Sequence, residues 1–346
     1  MTEQLHSAVC PLCPQHCVVA EGGVGRCRAR GCLGGRMTSL TYGQVAAMHV
    51  DPIEKKPLFH FYPGSSILSV GGNGCNLRCS FCQNYEISQQ KVRGRDFRPA
   101  ELAGVAQAEN SLGICFTYSE PLVWFETVLE TAALVKEAGG KTVLVTNGVI
   151  MPRYLGQLLD VIDAVNIDVK AFTDEFYRTH TGGRLSWVLR SVELLAARGI
   201  HFEVSTLVIP GLNDGSEEIR GLAKYLRDLG VPLAWHLNRY YPAYMADYPP
   251  TPEQSLRKLA TVGREYLPYV YLGNLRYDAA SGSGMNTLCP TCQSVVVDRR
   301  DSVRVKVVDG KCPQCSAEIW GIWQTELVPY GREASKKNKK INHSEY

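Results

Sequence analysis

The sequence predicts an α/β protein in which a parallel sheet is covered by helices and carries a small cysteine-rich module at each end. Short, almost continuous apolar segments alternate with longer helical patterns over residues 65–275, which is typical of parallel sheets. The 13 cysteines fall into groups of five, three and four, and Cys115 stands alone. In a chain that we expect to be cytoplasmic, such clusters favour metal sites over disulfides.

The predicted strands and helices follow one another in βα order. The strand candidates share an apolar, β-branched character and are Ile67–Val70, Gly113–Tyr118, Thr142–Thr146, Ala164–Val169, Phe202–Ile209, Leu233–Leu237 and Tyr269–Leu272. The helix candidates lie between them and are Ala100–Asn110, Pro121–Ala138, Arg153–Val161, Trp187–Arg198, Ser216–Leu229 and Pro252–Tyr266. Parallel βα repeats either close into a barrel or remain an open, doubly wound sheet, and both bind ligands at the carboxyl ends of the strands.

Size and composition narrow the class of protein. The chain has 346 residues, of which 45% are hydrophobic and 21% charged, as in soluble globular proteins. No apolar run approaches the ~18 residues that suggest a membrane span, and no signal peptide is apparent, so we expect a cytoplasmic protein without a membrane partner. The net charge of +3 does not imply a nucleic-acid partner. The basic run at 336–340 lies in residues 331–346, which we expect to be a disordered tail.

The most informative motif is a C-x3-C-x2-C run formed by Cys75, Cys79 and Cys82. Thiolates are the usual ligands of iron–sulfur clusters, so three of them can hold three irons of a [4Fe–4S] cluster and leave the fourth iron open to a small molecule. A closed structural zinc site would need four ligands. The alternative is an iron–sulfur or zinc site that is completed by a distant residue. The loop follows the predicted strand at 67–70 and therefore lies on the ligand-binding rim.

Polar residues that directly follow other predicted strands are candidates for the same pocket. They are Ser119, Glu120, Thr146, Asn147, Asp168, Lys170, Asn238 and Arg239. One polar residue at a strand end is ordinary, but several at the same edge of a sheet indicate a site.

The C-terminal group predicts a zinc ribbon. Two C-x2-C pairs flank two short predicted strands, at 294–297 and 303–308, and consist of Cys289 and Cys292, then Cys312 and Cys315. A hairpin between two such pairs brings four thiolates around one tetrahedral ion. Rubredoxin-like iron is the alternative.

The N-terminal group is less specific. Cys10, Cys13, Cys17 and Cys27 offer a four-thiolate site, with His16 or Cys32 as substitute ligands. Structural zinc is the favoured prediction, and an auxiliary iron–sulfur cluster is the alternative that spacing does not exclude. Cys115 lies inside a predicted strand and is expected to be a buried core residue.

The Cys75–Cys82 motif resembles that of the radical SAM superfamily. The wider chain is similar to the radical SAM enzyme of the AmmeMemoRadiSam system, a group related to pyruvate formate-lyase activating enzymes. The matching strings cover residues 10–17, 51–64, 74–84, 117–121, 146–148 and 168–170, and the C-terminal cysteine pairs.

This resemblance implies a partial (βα)6, TIM-like barrel with a [4Fe–4S] cluster at its rim and S-adenosylmethionine on the open iron. It also implies cofactor-binding roles for Phe81, Ser119, Glu120, Asn147, Asp168 and Lys170. Asp168 and Lys170 match a pair that holds the ribose and carboxylate. The chain departs from activating enzymes at Val145 and Thr146, where they have an acidic residue, and at Tyr240 and Tyr241, where they have a histidine; His236 and Arg239 are the candidate replacements.

The predicted function is that of a radical SAM enzyme. An external donor of the flavodoxin or ferredoxin type reduces the cluster, S-adenosylmethionine is cleaved reductively to a 5′-deoxyadenosyl radical, and the radical abstracts hydrogen from an unidentified substrate, with a protein target suggested by the activating enzymes. The alternatives are an iron–sulfur electron carrier and a zinc-ribbon interaction protein. The expected domains are a metal-binding module at 1–45, the barrel at 46–282 and the ribbon at 283–330.

The segment 54–60 remains open between two interpretations. It is dense in chargeable residues and is interpreted either as a solvated loop on the barrel or as a contributor of Glu54, Lys56 or His60 to the substrate site. His60 is the first to examine because histidine titrates near neutral pH.

Overall fold

Two short hairpins form the N-terminal part of the protein. The computed structural model describes residues 7–275 and 284–323. The first hairpin pairs β1 (Ser7–Val9) with β2 (Val18–Ala20), and the second pairs β3 (Arg30–Leu33) with β4 (Arg36–Ser39). Strands of three or four residues are too short to show a hydrophobic period, so the sequence did not predict them.

The central sheet has eight strands, seven of which are parallel to one another. In chain order the next strands are β5 (Gln44–Val45), β6 (Ala47–Pro52), β7 (Ser66–Gly71), β8 (Arg95–Asp96), β9 (Gly113–Phe116), β10 (Lys141–Thr146), β11 (Ala164–Asp168), β12 (His201–Val208), β13 (Ala234–Arg239) and β14 (Val270–Gly273). The order in the sheet is β14-β13-β12-β11-β10-β9-β7-β6, with β6 antiparallel to β7. β5 and β8 pair separately. All seven predicted strands are confirmed as the parallel strands of this sheet.

Helices connect the parallel strands. They are α1 (Tyr85–Ser88), α2 (Pro99–Ala108), α3 (Phe125–Glu137), α4 (Pro152–Leu159), α5 (Asp174–Phe176), α6 (Leu185–Ala197), α7 (Ser216–Asp228) and α8 (Glu253–Arg264), with 3₁₀ turns at Ile53–Lys55 and Pro121–Trp124 and a π-helical turn at Tyr177–Thr181. α7 shows why they pack as they do: Ile219, Leu222, Ala223 and Leu226 recur at helical spacing and are buried. Within the described ranges, no helix has the length and apolar character needed to cross a bilayer.

The parallel strands curve into a partial barrel. Their alternate side chains face two different apolar environments. Leu68, Ile114 and Leu144 pack in the large core beneath the helices. Their neighbours face the other way and form a second core, which contains Ile67, Cys115, Val143 and Ala164. This alternation is the period of a strand. Cys115 is fully buried, as predicted.

The inside of the partial barrel is filled by residues 53–62, here called the plug. Ile53, Leu58 and Phe61 pack on the inner side chains of β7, β9, β10 and β11. Phe59 packs on Tyr271 of β14, at 4.7 Å between ring centroids. The plug therefore crosses the sheet from its first parallel strand to its last. The segment is buried inside the barrel, so its interpretation as a solvated surface loop is wrong.

The C-terminal residues form a three-stranded antiparallel sheet beside the base of the barrel. Its strands are β15 (Thr287–Leu288), β16 (Val295–Asp298) and β17 (Arg304–Val305). Arg299 anchors this module because its guanidinium donates to the Phe59 carbonyl at 2.5 Å and lies 4.3 Å from the Phe59 ring centroid. The predicted basic tail at 331–346 lies outside the described residues.

Candidate active site

A cavity of about 350 Å³ lies at the carboxyl ends of the parallel strands. Each parallel strand contributes a lining residue at or after its end: Cys75, Thr117, Asn147, Asp168, Leu207, Asn238 and Asn274. Side chains from the first and last strands meet in one space only if the sheet is curved. The polar residues therefore converge at the rim formed by the carboxyl ends of the strands, as the order of strands predicts.

The sulfur atoms of the cysteine motif face this cavity. Cys75, Cys79 and Cys82 all line it, and among the described residues that do so there is no fourth cysteine and no histidine. The loop is held by backbone hydrogen bonds, including Arg78 N–H to the Thr181 carbonyl at 2.7 Å. Burial raises the pKa of the Cys79 thiol to about 12. Cys79 therefore presents a protonated thiol until a metal or cluster displaces the proton.

Gly74 allows this loop to approach the N-terminal hairpins. Its φ of +104° is a conformation that L side chains rarely adopt. A Cβ atom at this position would lie 2.4 Å from the carbonyl oxygen of Cys27. The cysteine loop and the N-terminal module are therefore in backbone contact.

Glu120 and Asn147 form one wall of the cavity. Glu120 is 2% exposed and accepts hydrogen bonds from the Thr146 hydroxyl at 2.6 Å and from Asn147 N–H at 2.8 Å. Burial raises the pKa of Glu120 to about 7, although these donors favour the carboxylate. The Asn147 amide donates to Asn76 Oδ1 at 3.0 Å and lies 3.6 Å from Cys75 Sγ.

Asp168 and Lys170 form the facing wall. The Lys170 ammonium donates to Asp168 Oδ2 at 2.9 Å. Burial opposes the charge on Lys170, but the Asp168 carboxylate outweighs it and raises the pKa of the ammonium above its usual range. A cation therefore stands beside the cysteine loop at every physiological pH.

Two further predicted residues line the cavity through different contacts. Phe81 is 3% exposed and packs 5.8 Å from the ring of Phe176. The Ser119 hydroxyl donates to the Gly72 carbonyl at 2.6 Å, so it fixes the turn that precedes the cysteine loop.

The structure adds a group that sequence reasoning missed. Lys56 is buried in the cavity floor, with its ammonium 2.8 Å from Asp51 Oδ2. The Tyr118 hydroxyl donates to the same carboxylate oxygen at 2.7 Å. The sequence analysis named Lys56 as a candidate for the substrate site. It did not include Asp51, because Asp51 lies in the antiparallel strand β6 and no sequence pattern connected that strand with the rim. The signal that could have found this group was Tyr118, which lies beside Ser119 in the matched string at 117–121.

His60, Glu54, His236 and Arg239 do not line the cavity. His60 is buried at the base of the barrel, where its ring nitrogens lie 2.6 Å from the Trp320 carbonyl and 2.5 Å from the Tyr271 hydroxyl. His236 Nε2 lies 2.6 Å from Glu203 Oε2 in the same region. The structure therefore places His60 and His236 together at the base of the barrel, away from the cavity at the strand ends.

The C-terminal cysteines form a compact four-sulfur site. The sulfur atoms of Cys289, Cys292, Cys312 and Cys315 all lie within 4.8 Å of one another. The Cys289–Cys315 and Cys292–Cys312 distances are 3.6 and 3.7 Å. Tetrahedral zinc with Zn–S bonds of ~2.3 Å separates its sulfurs by nearly this amount.

The N-terminal cysteines surround a second, smaller cavity. Cys10, Cys13, Cys17 and Cys27 line it. Cys32 does not, because its sulfur lies 3.6 Å from a Glu21 carboxylate oxygen. His16 is also absent from the lining and is exposed. Neither proposed substitute ligand faces this cavity.

Comparison with known proteins identifies relatives along most of the chain. A family model described as the radical SAM superfamily matches residues 69–226. An uncharacterized protein of Methanocaldococcus jannaschii, MJ0808, is 36% identical over 320 residues, which are 90% of this chain and 94% of that protein. The pyruvate formate-lyase 1-activating enzyme of Escherichia coli is 26% identical over 174 residues, covering 45% of this chain and 67% of that enzyme.

A solved structure, a radical SAM methyltransferase from Sphaerobacter thermophilus, superposes with a TM-score of 0.49 at 16% identity, covering 65% of this chain and 71% of that one. The matched family region begins in β7 and ends in α7, and so includes the cysteine motif. The chain is an enzyme of the radical SAM superfamily and is related to the pyruvate formate-lyase activating enzymes.

Proposed function

We propose that Cys75, Cys79 and Cys82 hold a [4Fe–4S] cluster whose fourth iron is left for S-adenosylmethionine. The observation that carries this proposal is the convergence of three thiols, without a fourth among the described residues, on a cavity of about 350 Å³. Thiolates suit iron–sulfur clusters, and an incomplete set leaves an open coordination position. The residues present therefore fit the cluster that the family implies.

The walls of the cavity also fit S-adenosylmethionine. Lys170 offers a permanent positive charge for the ligand carboxylate, and Asp168 offers acceptors for ribose hydroxyls. Glu120 and Asn147 offer a carboxylate and an amide to the ligand amino group. Phe81 supplies apolar surface beside the cysteine loop, and Ser119 acts by holding the Gly72 turn.

When bound, the cluster and S-adenosylmethionine supply a 5′-deoxyadenosyl radical for hydrogen abstraction from the substrate. The chain binds and orients the reactants, and the buried side chains of Cys79, Phe81 and Glu120 limit the access of water to this part of the site. The reducing electron comes from an external carrier of the flavodoxin or ferredoxin class. The substrate is unidentified; a protein target is supported by the activating-enzyme relative.

The proposal is tested by anaerobic reconstitution with iron and sulfide, reduction, addition of S-adenosylmethionine and quantification of 5′-deoxyadenosine. Product from the native chain and none from Cys79→Ala supports it. Unchanged electron paramagnetic resonance (EPR) of the reduced cluster on adding S-adenosylmethionine, together with no product, supports the electron carrier instead. Absence of bound iron at Cys75 would support the zinc-ribbon interaction protein.

The modular division also remains a proposal. We assign residues 1–45 to an N-terminal metal module, 46–282 to the barrel and 283–330 to the C-terminal module, with zinc in its four-cysteine site. The compact sulfur spacing supports zinc in the last of these.

A further inference from the structure

The N-terminal cavity is enclosed by four cysteines of which three are buried and one, Cys17, is half-buried. Its other lining residues include Arg26, Arg30 and Asn76. Arg30 also ties the module to α3, since its two terminal nitrogens donate to the Glu126 carboxylate at 2.8 Å each. The cavity is therefore part of the packed fold and lies against the barrel.

The sulfurs of this cavity are less tightly grouped than those of the C-terminal site. Among the described residues, the C-terminal set is the one group of three or more potential ligands whose atoms all lie within 4.8 Å. The N-terminal thiols do not meet that limit, and neither do those of the Cys75–Cys82 motif. In a [4Fe–4S] cluster each thiolate binds a different iron, so its sulfurs stand further apart than those around a single zinc.

The cavity is also prepared for negative charge. Arg26 N–H donates to Cys17 Sγ at 3.4 Å, and backbone N–H groups of Ala29 and Arg30 are directed at the Cys27 sulfur. The Nε atoms of Arg26 and Arg30 are buried and have no hydrogen-bond partner within the described part of the chain. A buried donor without a partner is destabilising. Thiolates and cluster sulfides would supply the missing acceptors.

We propose that Cys10, Cys13, Cys17 and Cys27 bind a second [4Fe–4S] cluster, with all four irons ligated by cysteine, that delivers the electron to the site at Cys75–Cys82. The two sites adjoin. Asn76 lines the N-terminal cavity, and its chain neighbour Cys75 lines the other. The Asn147 amide contacts both residues.

The electron transfer balances as two one-electron steps. An external carrier of the flavodoxin or ferredoxin class is oxidised by one electron and reduces the N-terminal cluster. That cluster is then reoxidised as the site at Cys75–Cys82 gains the electron, and no atom or proton needs to move. This assignment rests on the proposed function for its electron acceptor but not for its metal content.

The first test compares cysteine variants of the full chain, reconstituted anaerobically and assayed for iron, sulfide, zinc and EPR of the reduced state. The native chain should hold about eight irons, and the Cys75→Ala, Cys79→Ala, Cys82→Ala triple variant about four. The reduced triple variant should show an EPR signal that S-adenosylmethionine does not change. Cys32→Ser is the matched control, since its sulfur faces Glu21 rather than the cavity, and should retain the native iron content.

A triple variant that binds no iron and carries zinc at both ends of the chain would overturn the second cluster. Failure of the proposed function looks different. If the second cluster is present but the proposed function is wrong, the Cys13→Ala, Cys27→Ala variant loses the N-terminal iron, and its remaining cluster does not respond to S-adenosylmethionine. The decision rests on the triple variant, so it stands even if the double variant fails to fold.

The second test concerns the relay. In the folded double variant, reduction of the remaining cluster by flavodoxin should be at least tenfold slower than in the native chain, while reduction by dithionite is unchanged. Equal rates with flavodoxin would overturn the relay.

Discussion

The Lys170 ammonium is held 2.9 Å from the Asp168 carboxylate, two residues before it, where β11 ends. Burial raises the pKa of Cys79, and the positive charge of Lys170 is the largest influence that opposes it. The pair therefore places one charge of each sign next to the cysteine loop, in a partly exposed wall of the cavity. It can bind the carboxylate and hydroxyl groups of a ligand without either charge being left unpaired beforehand.

Replacing Lys170 with methionine should weaken S-adenosylmethionine binding. A hydrogen bond to a charged group contributes about 1.5–3 kcal/mol, so we expect a loss of ~10- to 100-fold in affinity. Anaerobic calorimetry on the cluster-loaded protein measures it. Lys224→Met, on the exposed face of α7, is the control and should bind normally. An unchanged dissociation constant for the Lys170 variant would contradict the assigned role.

S-adenosylmethionine affinity should increase as pH rises from 6 to 7.5. Burial raises the pKa of Glu120 to about 7, so deprotonation across this range creates the carboxylate that attracts the ligand ammonium. We expect a rise of about eightfold, by the change in ionised fraction. The Glu120→Gln variant should bind more weakly and lose most of this dependence. Equal slopes for the two proteins would show that another group controls binding.

Removing Glu203 should destabilise the protein severely. Its carboxylate is fully buried and accepts from His60 N–H at 2.7 Å, while lying 2.6 Å from His236 Nε2. Breaking such a buried network costs about 3–5 kcal/mol. Urea denaturation of Glu203→Ala measures it. Glu265→Ala removes an exposed partner of Arg220 and should cost less than about 1 kcal/mol.

Stability should fall as pH decreases from 6.5 toward 5, partly because of His60. Burial lowers the pKa of His60 to about 3, whereas an unfolded histidine titrates near ~6.5. The unfolded state therefore binds the proton first, and stability decreases by up to ~1.4 kcal/mol per pH unit in this window. Thermal unfolding of His60→Gln should show a lower midpoint at pH 7.5 but a shallower decline. The exposed His49→Gln should decline as the native chain does.

Loss of the C-terminal metal should lower thermal stability beyond that module. Cys312→Ser should release about one zinc equivalent, since a structural site needs its four ligands. The base of the barrel should loosen with it, because Trp320 and Arg299 contact the plug. We expect the unfolding midpoint to fall by several degrees, as for a loss of a few kcal/mol. Gln314→Ala, an exposed change in the same knuckle, should leave both zinc and midpoint unchanged.

The sequence predicted the parts of the fold with a clear period. Strands such as Ala164–Asp168 and helices such as α7 have contiguous or periodic apolar residues, and their boundaries agree within a few residues. The rule that ligands bind at strand ends then brought Asn147 and Asp168 to the correct edge.

The position of the plug could not be predicted because the side chains that hydrogen-bond to its backbone are polar residues inside strands. Asn166 donates to the Pro57 carbonyl at 2.8 Å, and Glu203 accepts from the backbone of His60. In the sequence these two side chains interrupt apolar runs without indicating which segment they meet. The contact between Asp51 and Tyr118 joins residues 67 positions apart and is equally invisible to local patterns.

The position of the plug bears on how substrates are chosen. The plug contributes Lys55, Lys56 and Pro57 to the lining of the cavity, so a connecting segment shapes this space together with the strand ends. Loops accept changes in sequence more readily than paired strands do. A change at the exposed Lys55 would therefore alter the space open to a substrate without disturbing the buried Leu58 and Phe61 of the plug. Because both lysines are paired with Asp51, at 3.4 and 2.8 Å, such a change would also alter the charge balance around that carboxylate.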